Sequence, residues 1–151
     1  MFRTICFAAA ITNLLSCAQP TDCQNWTTYQ FFVKSSVEDV ASCIAIGADI
    51  TMTDEEGGTP LHLAALGARD PAVIKVLIAA GADVDARDRA ARTPLHWAAL
   101  INENPLIFAA LIDAGADVNA QDLWGQTPLH QARFVSNSPS VIELLLAAGS
   151  E

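Results

Sequence analysis

Three histidines, His62, His96 and His130, are the side chains of this 151-residue chain best suited to hold a metal ion or move a proton at neutral pH. Each closes the same run, Thr59-Pro60-Leu61-His62, Thr93-Pro94-Leu95-His96 and Thr127-Pro128-Leu129-His130, at a step of 34 residues both times. A metal-dependent enzyme is the chemistry such a set would serve, and the spacing argues against it. Packed helices stand about 8–10 Å apart, whereas zinc ligands sit about 2 Å from their metal. No Glu or Cys accompanies the three at ligand spacing. Asp83, Asp88, Asp117 and Asp122 suggest calcium by their charge, but no EF-hand run is present, and short acidic side chains at turns usually bond the turn itself. There is no Gly-rich phosphate loop, G-x-S-x-G or Cys–His pair, and Cys43 has no basic sequence neighbour to lower its pKa. The sequence therefore assigns no catalytic residue, cofactor or metal, and the histidines need a structural explanation.

The same step of 34 runs through the rest of the chain. Gly-Ala-Asp begins at Gly47, Gly81 and Gly115, Gly149 follows in phase, and Asp54, Asp88 and Asp122 keep the interval. Threonine before proline reads as an N-cap and an N1 residue, so helices start at Pro60, Pro94 and Pro128. Asp70-Pro71, Asn104-Pro105 and Ser138-Pro139 open a second helix in each unit, with apolar residues at helical spacing behind them. Gly81, Gly115 and Gly149 stop those helices in the left-handed position. Each histidine then lies at N3, where its ring can bond the threonine and the backbone of adjoining loops. Leu61, Leu95 and Leu129 should form one buried ladder, and Leu77, Leu111 and Leu145 another.

Three copies of TPLH with Gly-Ala-Asp and the aspartate in phase resemble the ankyrin repeat family, whose signature is T-P-L-H-x-A. The resemblance covers about residues 25–149 and departs in using a period of 34 instead of 33, the extra residue falling between the two helices of each unit. It implies a mainly α solenoid: stacked helix-turn-helix units with β-hairpin fingers along one edge, about three full repeats and a degenerate N-terminal cap. The expected boundaries are a cap at 19–53 and repeats at 54–87, 88–121 and 122–151. No single helix pair buries its apolar face alone, so neighbours must stack.

The ends depart from the pattern. Asn25–Phe32 stands against Thr59–Leu66, with Phe31 replacing an alanine. Ser35 with Glu38 reads as a capping box. Cys43 falls at the position of Leu77, near the start of an antiparallel first helix, and Cys23 lies just before that start. A disulfide between them would close the cap and stabilise it by roughly 3 kcal/mol; the alternative is a buried thiol at Cys43 and an idle one at Cys23. At the other end Arg133 takes an alanine position.

Residues 1–18 form a separate object. Arg3, an apolar run from Ile5 to Leu15 and small residues follow the order of a secretory signal peptide, and the run is too short to span a bilayer. Ser16 and Ala18 fit ordinary cleavage; Leu14–Cys17 also resembles a bacterial lipobox, which would make Cys17 a lipid anchor. Export to the periplasm, the outer membrane or the medium is the expectation. The formal charge of −9 repels phosphate backbones, which disfavours nucleic acid as a partner. The resemblance implies a non-catalytic adaptor, monomeric, binding a protein through its finger tips and first helices. These positions are Glu55 and Glu56; Arg89, Ala90 and Arg92; Leu123, Trp124 and Gln126; then Leu66, Leu100, Ile101, Phe134 and Val135. Leu123 and Trp124 stand out as an apolar pair on a tip. Trp97 is expected to pack between units. A structural, self-associating envelope protein is the alternative from another class.

Overall fold

A computed structural model describes residues 23–136 and 138–150. The signal segment and Cys17 lie outside the described residues. After a 3-10 turn at Cys23–Asn25, eight helices follow among the described residues: α1 Tyr29–Lys34, α2 Val37–Ala45, α3 Pro60–Gly67, α4 Pro71–Ala79, α5 Pro94–Ile101, α6 Pro105–Asp113, α7 Pro128–Gln131 and α8 Pro139–Ala147. They stack in two layers. α1, α3, α5 and α7 pack successively in one, and α2, α4, α6 and α8 in the other.

Sequence dictates where most of these helices begin and end. Proline stands at N1 of every helix from α3 to α8. Asp70 accepts from Ala72 N at 2.8 Å and Asn104 from Leu106 N at 3.1 Å, capping α4 and α6. Ser138 makes no such bond, although it holds the corresponding place. Gly81 and Gly115, with φ of 100° and 95°, take the left-handed position that ends α4 and α6. Leu61, Leu95 and Leu129 are buried in one layer and Leu77, Leu111 and Leu145 in the other, as the ladders require.

Three local expectations need correction. The capping box of α2 is made by Ser36 and Asp39, one residue beyond Ser35; the Ser35 hydroxyl instead donates to the Phe31 carbonyl and closes α1. Among the described residues no strand is found, so the fingers are tight turns and not strand pairs. The reason is the hairpin aspartate. One oxygen of Asp88 accepts from Ala90 N and Arg92 N, both at 2.8 Å, and curls the backbone within five residues. Asp54 and Asp122 do the same to Glu56 and Gly58, and to Trp124 and Gln126. Finally, α7 lasts four residues before the chain widens into a π-helical turn at Ala132–Ser136. Among the described residues this turn packs on α5, α7 and α8, and Arg133 and Phe134 are exposed on it.

The cap is closed covalently. Cys23 and Cys43 form a disulfide with Cα atoms 5.6 Å apart. Trp26, Phe31 and Phe32 cluster inside it, with ring centroids 5.0–5.7 Å apart.

Candidate functional site

The histidines are joints between repeats. His62 Nδ1 accepts from the backbone N–H of Thr59 at 3.1 Å, with the Thr59 hydroxyl 2.9 Å away. That leaves the proton on Nε2, which donates to the Arg92 carbonyl at 3.0 Å, 30 residues on. His96 repeats the pattern with Thr93 and the Gln126 carbonyl at 3.0 Å. Each ring therefore ties a helix start to the next finger. Burial holds both imidazoles below the ordinary histidine pKa, against the opposing pull of the carbonyls they face, and keeps them neutral. His130 keeps its contact with Thr127, but it is exposed, and no carbonyl of another finger meets it among the described residues.

Backbone bonds align the three tips. Arg89 N donates to Glu56 O and Leu123 N to Ala90 O, both at 3.0 Å. Arg87, which sequence reasoning passed over, braces the second finger: its Nη1 donates to Ala91 O and Gln121 O, each at 2.7 Å. The tips so held line a shallow, open hollow of about 350 Å³ formed by Glu55, Glu56, Arg89, Ala90, Arg92, Leu123 and Trp124. Leu123 is 68% and Trp124 71% exposed. Gln126 is exposed beside them, and its carbonyl is taken by His96.

A family model of ankyrin repeats, in three copies, matches residues 67–151. This chain belongs to the ankyrin repeat family. A comparison with curated proteins finds no match. Ankyrin repeats generally mediate protein–protein interaction and are typically non-enzymatic, so the surface between the fingers and the first-layer helices is the place to look for binding. No described helix of this ankyrin chain is long and apolar enough to cross a membrane.

That surface holds an open groove of about 950 Å³, walled by Leu63, Leu66, Trp97 and Leu100 on the helices, Thr53–Glu56 and Arg92 on the fingers, and Thr27, Thr28 and Tyr29 from the cap. A side cleft of about 280 Å³ takes Ile101 and Leu66. Phe134 is 93% exposed and Val135 is also exposed, beyond these hollows at the π-helical turn. One sequence-derived position changes meaning, and Trp97 packs between repeats as expected. Arg92 is only 19% exposed in its side chain: Nε donates to Asp88 at 2.8 Å, Nη2 to Glu56 at 3.0 Å, and the guanidinium lies 5.3 Å from the Trp97 ring centroid. Buried Trp97 donates its Nε1–H to Asp88 at 2.8 Å and meets His62 edge-on. Burial works against the Asp88 carboxylate, yet the bonds from Arg92 and Trp97 outweigh it and hold its pKa below the usual aspartate value. The residues missed are Tyr29 and Leu63. Shifting the register by 34 places Tyr29, Leu63 and Trp97 in one column, and that column is the signal that identifies the groove wall.

Proposed function

We propose that this ankyrin repeat protein is an exported adaptor that binds a protein partner through rigid finger tips, and that Leu123 and Trp124 anchor the partner. The observation that carries this reading is the exposed Leu123–Trp124 pair at the mouth of the tip hollow, beside Arg89. A tryptophan and a leucine held in water on a turn gain most when a partner covers them, and aromatic anchors dominate interface energetics. Export is supported by the order of residues 1–18 and by the Cys23–Cys43 bridge, a bond that persists in oxidising compartments. Cleavage before Cys17, with lipidation there, is the variant of this reading that a mass spectrum of the mature N-terminus decides.

The test is affinity capture from envelope fractions with native protein and with Leu123→Ala/Trp124→Ala as baits. The double variant should lose the specifically captured protein while its thermal midpoint stays within about 2 °C of native, as expected for surface changes. Unaltered capture removes the anchor. A second reading, self-association, draws on Phe134 at 93% exposure. Light scattering over a concentration series should report a constant monomer mass; a rising mass favours self-association.

A further inference from the structure

The hairpin aspartate is used differently in the three fingers. In every finger one carboxylate oxygen curls the turn. In the second finger the other oxygen of Asp88 receives Arg92 Nε, four residues on, and Trp97 Nε1, nine residues on, each at 2.8 Å. In the third, Asp122 faces Gln131 Nε2 at 3.4 Å, again nine residues on. In the first finger the corresponding residues are Gly58 and Leu63, and neither side chain has a donor. Asp54 Oδ2 accepts no hydrogen bond from the described residues, and the Glu55 carboxylate has no partner among them either.

The chain cannot supply the missing donor from position 58. A Cβ on Gly58 would stand 2.7 Å from Trp97 Cη2 and 3.1 Å from Asp54 Oδ2. Trp97 occupies that space, and Asp54 and Glu55 line the 950 Å³ groove together with apolar Leu63, Leu66 and Leu100. One finger along, the same carboxylate holds a guanidinium that lies over the same Trp97 ring. Arg92 is shared by Asp88 and Glu56, so the groove carries a net negative charge in which Asp54 and Glu55 have no ion-pair partner among the described residues.

We infer that the groove receives an arginine of the partner polypeptide, flanked by apolar side chains, with the guanidinium on Asp54 Oδ2 and Glu55 and the flanking residues against Leu63, Leu66 and Leu100. Charge complementarity selects this occupant: a planar guanidinium suits a carboxylate beside an aromatic edge, and an acidic groove rejects a second acidic or phosphate-bearing chain. The inference rests on the reading of the fingers and concave side as a protein-binding surface, and it names what that surface recognises.

The probe is the peptide acetyl-Leu-Ala-Arg-Ala-Leu-amide, with its citrulline counterpart as the uncharged isostere, titrated into the full disulfide-bonded protein while the amide signals of Asp54, Glu55 and Trp97 are followed by NMR. The arginine peptide should shift those signals and bind about tenfold more tightly than the citrulline peptide, the scale of a charge-assisted pair. Salt should weaken it. Asp54→Asn keeps an oxygen for the backbone of the turn and should reduce affinity about tenfold at an unchanged thermal midpoint; exposed Glu55→Gln should reduce it about two- to threefold. Equal binding of both peptides, native affinity in Asp54→Asn, or no shift at millimolar peptide overturns the inference. Leu123→Ala/Trp124→Ala should bind the arginine peptide as native does. Its capture result therefore judges the fingertip anchor separately from the groove.

Discussion

The second and third fingers carry the same aspartate at the same register and differ in what surrounds it. Asp88 is enclosed by Arg92 and Trp97, and the His96 of the same repeat is buried. Beyond its turn bonds Asp122 has one long contact from Gln131, and its finger holds Leu123 and Trp124 in solvent. The histidine series shows the same gradient, from His62 and His96 sealed between repeats to exposed His130. A histidine that meets a carbonyl of the next repeat becomes a joint, and His130, which meets none among the described residues, stays exposed.

The largest effect expected from this contrast separates Asp88→Asn from Asp122→Asn. The Asp88→Asn variant would keep the turn bonds but lose charge-assisted bonds from Arg92 and Trp97 in a buried place, a cost of about 2 kcal/mol. The Asp122→Asn variant, equally buried but with only one long side-chain contact on that oxygen, would lose less, about 1 kcal/mol at most. Urea unfolding checks both, and equal losses would erase the distinction between the fingers.

The pH dependence follows from the same burial. His62 and His96 have folded pKa values below the ordinary 6.5. The unfolded chain therefore binds the extra protons, and stability is full above about pH 6.5 and falls as pH drops toward the folded values. Asp88, with its pKa held below 3.8, adds stability that is present above that value and is lost as pH falls through the folded one. Denaturation midpoints between pH 8 and pH 5 should decline, and His96→Gln should flatten the decline, on the histidine linkage above. A profile of native slope in that variant contradicts the assignment.

The smallest effect has the opposite sign. Ala91 has a φ of 58°, where the first and third fingers place Gly57 and Gly125. A side chain in that region costs about 1–2 kcal/mol, partly offset by the greater chain entropy of glycine. Ala91→Gly should stabilise by about 0.5–1 kcal/mol in urea. A destabilised variant would show that the middle finger is not strained.

Much of the fold was legible because two short motifs recur in phase. TPLH and Gly-Ala-Asp locate helix starts and stops, and the histidine at N3 follows as a joint because it repeats with its threonine. The disulfide was legible because register placed Cys43 opposite the start of the first helix. What stayed hidden depended on atoms arriving from other repeats. Arg92 reads as a free charge on a turn until Asp88, Glu56 and Trp97 are seen to surround it. Tyr29 was missed because the cap lacks the proline and histidine that mark the other first helices, although the register contained it. The π-helical turn was hidden because TPLHQARF carries the same start signal as its neighbours. For the tip residues, sequence reached the positions and structure supplied the hollow that gathers most of them.

The most direct test of the central claim is a paired measurement on His96→Ala and His130→Ala: urea unfolding, with partner retention scored on the folded fraction. The buried joint should lose about 3 kcal/mol, for the cavity and the unmet threonine and carbonyl bonds, and the exposed one less than about 1 kcal/mol. Folded protein of either variant should retain its partner as native does. His96→Ala with native stability and lost binding would contradict the account and return the histidines to the site.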